Sequence, residues 1–182
     1  RGPHITPGYL RDPEKTAVAF DDEGFHRIGD ALRWADPDDP QQGLLFDGRV
    51  AEDFKLSTGT WVHGGALRVR LIAAANPVVQ DAVLTGHDRD EVGALLFLSP
   101  AAADWSDAAI RARLVEALAT LARDGGSSTH PSRLIILRDP PSIDAGEITD
   151  KGYINQRAVL TRRAALVEAL YAPAPGAEVI TL

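Results

Sequence analysis

Cysteine is absent from all 182 residues, which excludes disulfides, thiolate catalysis and cysteine–metal sites. That absence is compatible with the cytoplasm, the compartment expected for this chain. No apolar run reaches the roughly 18–20 residues that a membrane-spanning helix needs, so no transmembrane segment and no membrane partner are expected. Methionine is absent too, and the opening Arg1-Gly2-Pro3 has no apolar core of the kind found in a signal peptide. Arg1 is expected to fall inside a longer gene product, with a trimmed but complete protein as the alternative. Positive charge is scarce: 19 basic against 26 acidic residues give a net charge of −7 and a pI near 5.2. Such a surface repels phosphate backbones and argues against a nucleic-acid partner. Any phosphate chemistry must come from a few placed cations, and only three of the basic residues are lysines: Lys15, Lys55 and Lys151.

Residues 1–43 carry little periodicity and many breakers, including Pro3, Pro7, Gly8, Pro13, Gly24, Gly29, Pro37 and Pro40. They could not bury a core alone and read as the trailing edge of another domain. Leu44-Leu45-Phe46 begins a strand expected to close at the turn dipeptide Asp47-Gly48. Phe54 to Val62 is strand-competent and broken near Thr58-Gly59. Ala66 to Ala75 suits a helix stopped by Asn76-Pro77. Val78–Thr85 and the continuous apolar run Val92–Leu98 read as strands, the second fully buried.

The clearest helix starts near Ser106 or Asp107 and puts Ile110, Leu114, Ala117, Leu118 and Leu121 on one face. Asp124-Gly125-Gly126 ends it. Arg133–Leu137 is a further strand, stopped by Pro140-Pro141. After a loop, Asn155 can cap a last helix with Val159, Leu160, Leu166, Val167 and Leu170 inward. This order gives an α/β (α+β) fold, with helices packed on a short mixed sheet.

Familiar chemical motifs are missing. Neither G-x-x-x-x-G-K-[ST] nor G-x-G-x-x-G occurs, and no G-x-S-x-G marks a serine hydrolase. The five histidines at positions 4, 26, 63, 87 and 130 show no ligand spacing, so no metal site is expected. What is present is an ordered set of small motifs. Phe25-His-Arg-Ile-Gly-Asp30 ends in a carboxylate that can accept two bonds from a ribose diol. Asp47-Gly-Arg49 supplies an arginine suited to ribose or phosphate oxygens. Ser57-Thr58-Gly59-Thr60-Trp61 is a small-residue turn beside an aromatic. Gly146-Glu-Ile-Thr-Asp-Lys151-Gly152 puts a compact charge on a glycine-flanked loop, and Arg157 follows.

Taken together, these motifs resemble the late motifs of the adenylate-forming enzymes, a superfamily that includes acyl- and aryl-CoA synthetases, luciferases and peptide-synthetase adenylation domains. The resemblance covers about Pro7 to Ala172. Within that superfamily, Ile-Thr-Asp-Lys-Gly-Tyr-Ile-Asn-Gln-Arg (148–157) is most similar to feruloyl-CoA synthase and related aromatic-acid ligases. The resemblance implies that residues 1–48 trail a large adenylation domain and that 49–182 form its mobile carboxy-terminal lid. Asp30 and Arg49 would then bind AMP, and Lys151 would be the catalytic lysine of adenylation. Ala51, Glu52 and Asp53 would hold the hinge. Ser57, Thr58, Gly59 and Trp61 would form the loop used with CoA in the thioester step. ATP with Mg2+, CoA, a small carboxylic acid and the upstream domain are the implied cofactors and partners, with the Mg2+ ligands outside this chain. The implied activity is that of an AMP-forming acid–thiol ligase, inactive as this fragment alone.

The sequence also departs from the family pattern. Ile28 stands where a threonine is usual, and Ala51 where the hinge has Asp or Lys. Gly64-Gly-Ala-Leu-Arg68 replaces an acidic motif, and Lys151 precedes a glycine instead of following one. From the residues alone, a stand-alone α/β binding or scaffolding module with a solvated Lys151 remains the alternative.

Overall fold

Pro13 sits in the first helical turn, where a proline costs no hydrogen bond, and Asp12 caps it: Asp12 Oδ1 accepts the Lys15 N–H at 2.9 Å. The resulting helix, α1, spans Pro13–Val18. It belongs to the first of two units, Arg1–Val50 and Ala51–Leu182, in a computed structural model that describes residues 1–123 and 125–182.

The remainder of the first unit is an antiparallel ribbon of β1 (Asp30–Trp34) and β2 (Leu44–Arg49). Leu32 lies opposite Phe46 and Trp34 opposite Leu44, and all four are exposed. Ala19 is the one buried hydrophobic among the described residues of this unit, in keeping with a segment too broken to build a core. Two expectations fail here. β1 and α1 form in a stretch for which no helix or strand was expected, and β2 runs through Asp47-Gly48 to Arg49 instead of stopping. Pairing with β1 overrides the turn preference, and Gly48 takes up the distortion at φ 99°.

The second unit opens with a hairpin of two short strands, β3 (Phe54–Lys55) and β4 (Trp61–Val62), followed by α2 (Gly64–Ala74). A mixed sheet follows in the order β5 (Val79–Thr85), β6 (Gly93–Leu98), β7 (Arg133–Leu137) and β8 (Val179–Thr181). β6 and β7 run parallel, and the outer pairs are antiparallel. The parallel pair needs a crossover, and α3 (Asp107–Ala122) supplies it, capped by Ser106 Oγ accepting the Ala109 N–H at 3.2 Å. Its five expected core residues are all buried. The helix ends at Ala122; Asp124, expected in the terminator, lies outside the described residues.

The sheet is covered on both faces. Ala94 and Leu96 point with Leu134 and Ile180 into the cluster beneath α2 and α3, while Leu95 and Phe97 point with Ile135 and Val179 into the other. Two-sided burial is why β6 reads as an unbroken apolar run. The second cluster is closed by α4 (Gln156–Arg162) and α5 (Ala164–Leu170), through Val159 and Leu170. One last helix was expected. The chain breaks it at Arg163, whose backbone leaves helical geometry while its side chain turns inward. β8 was not expected; it pairs with β7 from Ile135↔Val179 to Arg133↔Thr181.

Candidate functional site

Ser57–Gly59 and Asp150–Gly152 are the same structure built twice. In the first, Leu56 N–H donates to Thr60 O at 3.0 Å and Gly59 N–H to Leu56 O at 2.9 Å. In the second, Thr149 N–H donates to Tyr153 O at 2.8 Å and Gly152 N–H to Thr149 O at 2.9 Å. Both are three-residue hairpin loops whose third residue is left-handed, a conformation that glycine adopts without Cβ strain. The φ angles are 80° at Gly59 and 81° at Gly152. This explains why Lys151 precedes its glycine: the glycine closes the turn, and the lysine stands one residue earlier, at the tip. Lys151 is exposed there, and among the described residues its side chain has no hydrogen-bond or ion-pair partner.

The base of the Lys151 hairpin is rigidly held. An isolated bridge joins Ile148 and Ile154, and Asn155 N–H donates to Glu147 O at 2.8 Å. The Glu147 side chain is fully buried at 0% exposure. It accepts from Arg163 Nε at 2.8 Å, from Arg163 Nη2 and Arg162 Nη1 at 3.0 Å, and from Ser142 N–H at 2.8 Å. Hydrogen bonds from Arg163 outweigh the burial penalty and hold this carboxyl at about 2. Arg163 also donates to the carbonyls of Asp139 and Pro140 and lies over the Phe97 ring. The hairpin is thereby pinned to the Asp139-Pro140 loop and to the core.

The Ser57 hairpin is held at the first residue of its loop. Ser57 N–H donates to Arg89 O at 2.9 Å, and Ser57 Oγ donates to Asp90 Oδ1. Trp61 faces Lys55 across the strands, with the ammonium 4.9 Å from the ring centroid. His87 stacks on Phe54 at 4.5 Å, and burial pushes its imidazole pKa down. Among the described residues no bond links this hairpin to Lys151.

Asp30 and Arg49 are brought together. They are cross-strand partners, with Arg49 Nε 3.9 Å from Asp30 Oδ1. Both remain well exposed. Ala51 and Glu52 lie in a short 3-10 turn, Val50–Glu52. Asp53 is committed elsewhere: its carboxylate accepts the Gly64 N–H at 2.9 Å and meets His63 Nδ1 at 3.2 Å, so it anchors the start of α2. A Cβ on Gly64 would fall 2.0 Å from Glu52 O, which gives a physical reason for glycine where an acidic motif is usual. A cleft of about 280 Å³ lies between Ala51-Glu52, His87 and the α4 residues Gln156, Arg157 and Thr161. No group of three or more metal-ligating side chains occurs among the described residues, and none of their helices is long and apolar enough to cross a membrane.

Residues 54–175 match the family described as AMP-binding enzyme C-terminal domain. The chain belongs to this family. The matched residues form the small carboxy-terminal domain of the adenylate-forming superfamily, and their mixed α/β architecture agrees with that placement. Over 173 residues, 92% of the chain, it is 31% identical to carboxylic acid reductase of Segniliparus rugosus, of which it spans 14%. The solved A-PCP didomain of that reductase in complex with AMP superposes with a TM-score of 0.76 at 29% identity, covering 94% of this chain and 24% of that one. A 4-coumarate–CoA ligase of Pinus taeda is 36% identical over 93 residues, 51% of this chain and 16% of the ligase. The chain thus spans a quarter or less of each of these relatives.

Three residues of this AMP-binding C-terminal domain escaped sequence reasoning: Glu147, Arg163 and Asp90. Arg163 carried a usable signal, because it falls four residues after the inward Val159, on the apolar face of the helix. A guanidinium there requires a buried carboxylate. Nothing in the sequence pointed to Asp90, 33 residues from its partner Ser57.

Proposed function

We propose that this domain is the carboxy-terminal part of an ATP-dependent carboxylic acid–CoA ligase acting on aromatic acids of the ferulate type. The observation that carries the reading is the unpartnered Lys151 ammonium at the tip of a hairpin clamped at its base by Glu147 and Arg163. A free charge on a fixed stalk suits transient stabilisation of phosphate oxygens, a role worth orders of magnitude in rate. Family membership supports adenylation. The likeness of residues 148–157 to feruloyl-CoA synthase and the match to a 4-coumarate–CoA ligase support an aromatic acid and CoA.

Residues 1–48 are then the trailing part of the large domain, and the exposed apolar face of Leu32, Trp34, Leu44 and Phe46 is what such a segment turns toward its parent body. Residues 49–182 are the moving lid. Lys151 stabilises charge while a carboxylate oxygen bonds to the α-phosphorus of ATP and the bond to pyrophosphate breaks. Asp30 and Arg49 hold the AMP ribose and phosphate oxygens. The lid turns about residues 51–53, withdrawing Lys151 and presenting the Ser57–Trp61 hairpin, a form of gating that lets one site run two steps. The CoA sulfur then bonds to the acyl carbon, the C–O bond to AMP breaks, and AMP leaves while the thiol proton passes to solvent. The proposed compartment is the cytoplasm. Mg2+ enters with ATP.

The test uses the full-length protein, wild type against Lys151→Ala, with ATP, CoA and a panel of hydroxycinnamates and aliphatic acids. Wild-type turnover on hydroxycinnamates is expected, with adenylation lost in Lys151→Ala and thioester formation from supplied acyl adenylate retained. Equal loss of both steps removes the role given to Lys151. Adenylate that forms but ignores CoA points to a carrier-borne thiol as acceptor. A folded wild type that makes no acid-dependent AMP leaves the binding-module reading standing.

A further inference from the structure

The β3–β4 hairpin has strands of only two residues each and lies outside the main sheet. A ribbon of that size does not hold its own shape in water. On its inner side Phe54, Leu56 and Val62 enter the core. Among the described residues the Gly86–Glu91 turn between β5 and β6 also braces it. Asp88 N–H donates to Lys55 O at 3.2 Å, Ser57 N–H to Arg89 O at 2.9 Å, and His87 stacks on Phe54. Gly86 permits this approach: an added Cβ would stand 2.9 Å from Glu91 O and 3.0 Å from Phe54 Cε2. One side-chain bond reaches the loop itself, from Ser57 Oγ at its first residue to the Asp90 carboxylate. Hydrogen bonds to an ionised acceptor are among the stronger ones. The Lys151 hairpin, with the same loop closure, has no counterpart in its loop among the described residues.

We infer that Asp90 is a positioning residue for the thioester step, fixing the Ser57–Gly59 loop through the Ser57 hydroxyl while taking no part in adenylation. This rests on the ligase reading above. A braced loop loses less conformational freedom when it closes on the acyl adenylate, and its Thr58 and Thr60 hydroxyls, 3.0 Å apart, keep a fixed outward direction. Asp90 would not touch substrate; its effect passes through Ser57.

The experiment measures the two half-reactions separately in the full-length protein: acid-dependent pyrophosphate formation, and thioester formation from supplied acyl adenylate and CoA. Asp90→Ala is expected to slow the thioester step about tenfold, the loss of one charge-assisted bond, with adenylation within about twofold of wild type. Ser57→Ala should match it, and the double variant should fall no further, because both remove one interaction. Asp90→Asn keeps an acceptor oxygen and should recover most of the rate. An unaffected thioester step in Asp90→Ala overturns the inference. So does equal slowing of both half-reactions, which would mark general damage to the domain, and so do additive losses in the double variant. A wild type lacking both half-reactions removes the ligase reading and this inference with it. A wild type with both, beside an unaffected Asp90→Ala, removes the inference alone.

Discussion

Gly59 and Gly152 occupy equivalent positions in two copies of one hairpin loop, with φ angles of 80° and 81°. Around each, an added Cβ would find nothing within 4 Å. The demand for glycine is therefore set by the backbone and not by packing. The two loops carry the residues proposed for the two half-reactions, and they differ in one respect: the Ser57 loop has a side-chain bond within the turn itself, to Asp90, and among the described residues the Lys151 loop has none.

Replacing either glycine by alanine should cost about 1–2 kcal/mol, the strain of a left-handed non-glycine residue, without any steric clash. Gly152→Ala should lower adenylation and spare the thioester step, because it misdirects Lys151. Gly59→Ala should do the reverse. Half-reaction rates in the full-length protein check both, and a shared pattern of loss would contradict the division of labour.

Glu147 makes a pH prediction. Its carboxyl is held at about 2 in the fold, against about 4.5 when unperturbed. A depressed acid contributes stability that is complete above the unfolded value and lost as pH falls through the folded one. The contribution is on the order of 3 kcal/mol, present at pH 7 and lost between about 4.5 and about 2. Denaturant unfolding of this chain across that range should show the loss, and Glu147→Gln should flatten it. At pH 7, Glu147→Ala should destabilise by roughly 3–5 kcal/mol, since it leaves Arg163 buried without its carboxylate.

What was legible in the sequence is what repeats locally. α3 was readable because Ile110, Leu114, Ala117, Leu118 and Leu121 share one face over 16 residues, and β6 because both of its faces are covered. β8 was not, because three residues after a Pro-Gly tract carry no period; only β7 beside them makes a strand. β2 is only half legible in the sequence, because Asp47-Gly48 favours a turn until β1 pairs with it. The candidate site splits along the same line. Lys151 and the Ser57 loop were singled out through the resemblance of their short motifs to those of the adenylate-forming enzymes, whereas Glu147–Arg163 and Ser57–Asp90 are contacts across 16 and 33 residues that only folding creates.

Gln156 acts as a strand where there is none. β5 is an edge strand, and Gln156 satisfies two of its free groups: Oε1 accepts the Leu84 N–H at 3.2 Å and Nε2 donates to Ala82 O at 3.0 Å. Gln156→Ala should release both and cost about 1–3 kcal/mol. Amide exchange at Leu84 should rise with it. Gln156→Glu keeps the acceptor but sets a carboxylate against the Ala82 carbonyl, so it should rescue only the Leu84 protection. Unchanged exchange at Leu84 in Gln156→Ala would show that α4 is fastened by packing alone.

Gly64 tests the segment proposed as the hinge. Its missing Cβ leaves room for the Glu52 carbonyl, which would otherwise lie 2.0 Å away, and its N–H is held by Asp53 at 2.9 Å. Alanine at 64 must push the 52–53 backbone aside, because a carbonyl cannot rotate away as a side-chain end can. Overpacking of this kind costs about 1–3 kcal/mol, and it falls on the first residues of the second unit. Gly64→Ala should therefore lower chain stability by that amount. In the full-length protein it should also slow turnover more than either half-reaction measured alone, because each half-reaction needs one lid position and turnover needs the passage between them. Asp53→Ala should reproduce the stability loss by removing the cap without adding bulk. If Gly64→Ala slows both half-reactions as much as turnover, residues 52–53 are a fixed support and the pivot lies elsewhere.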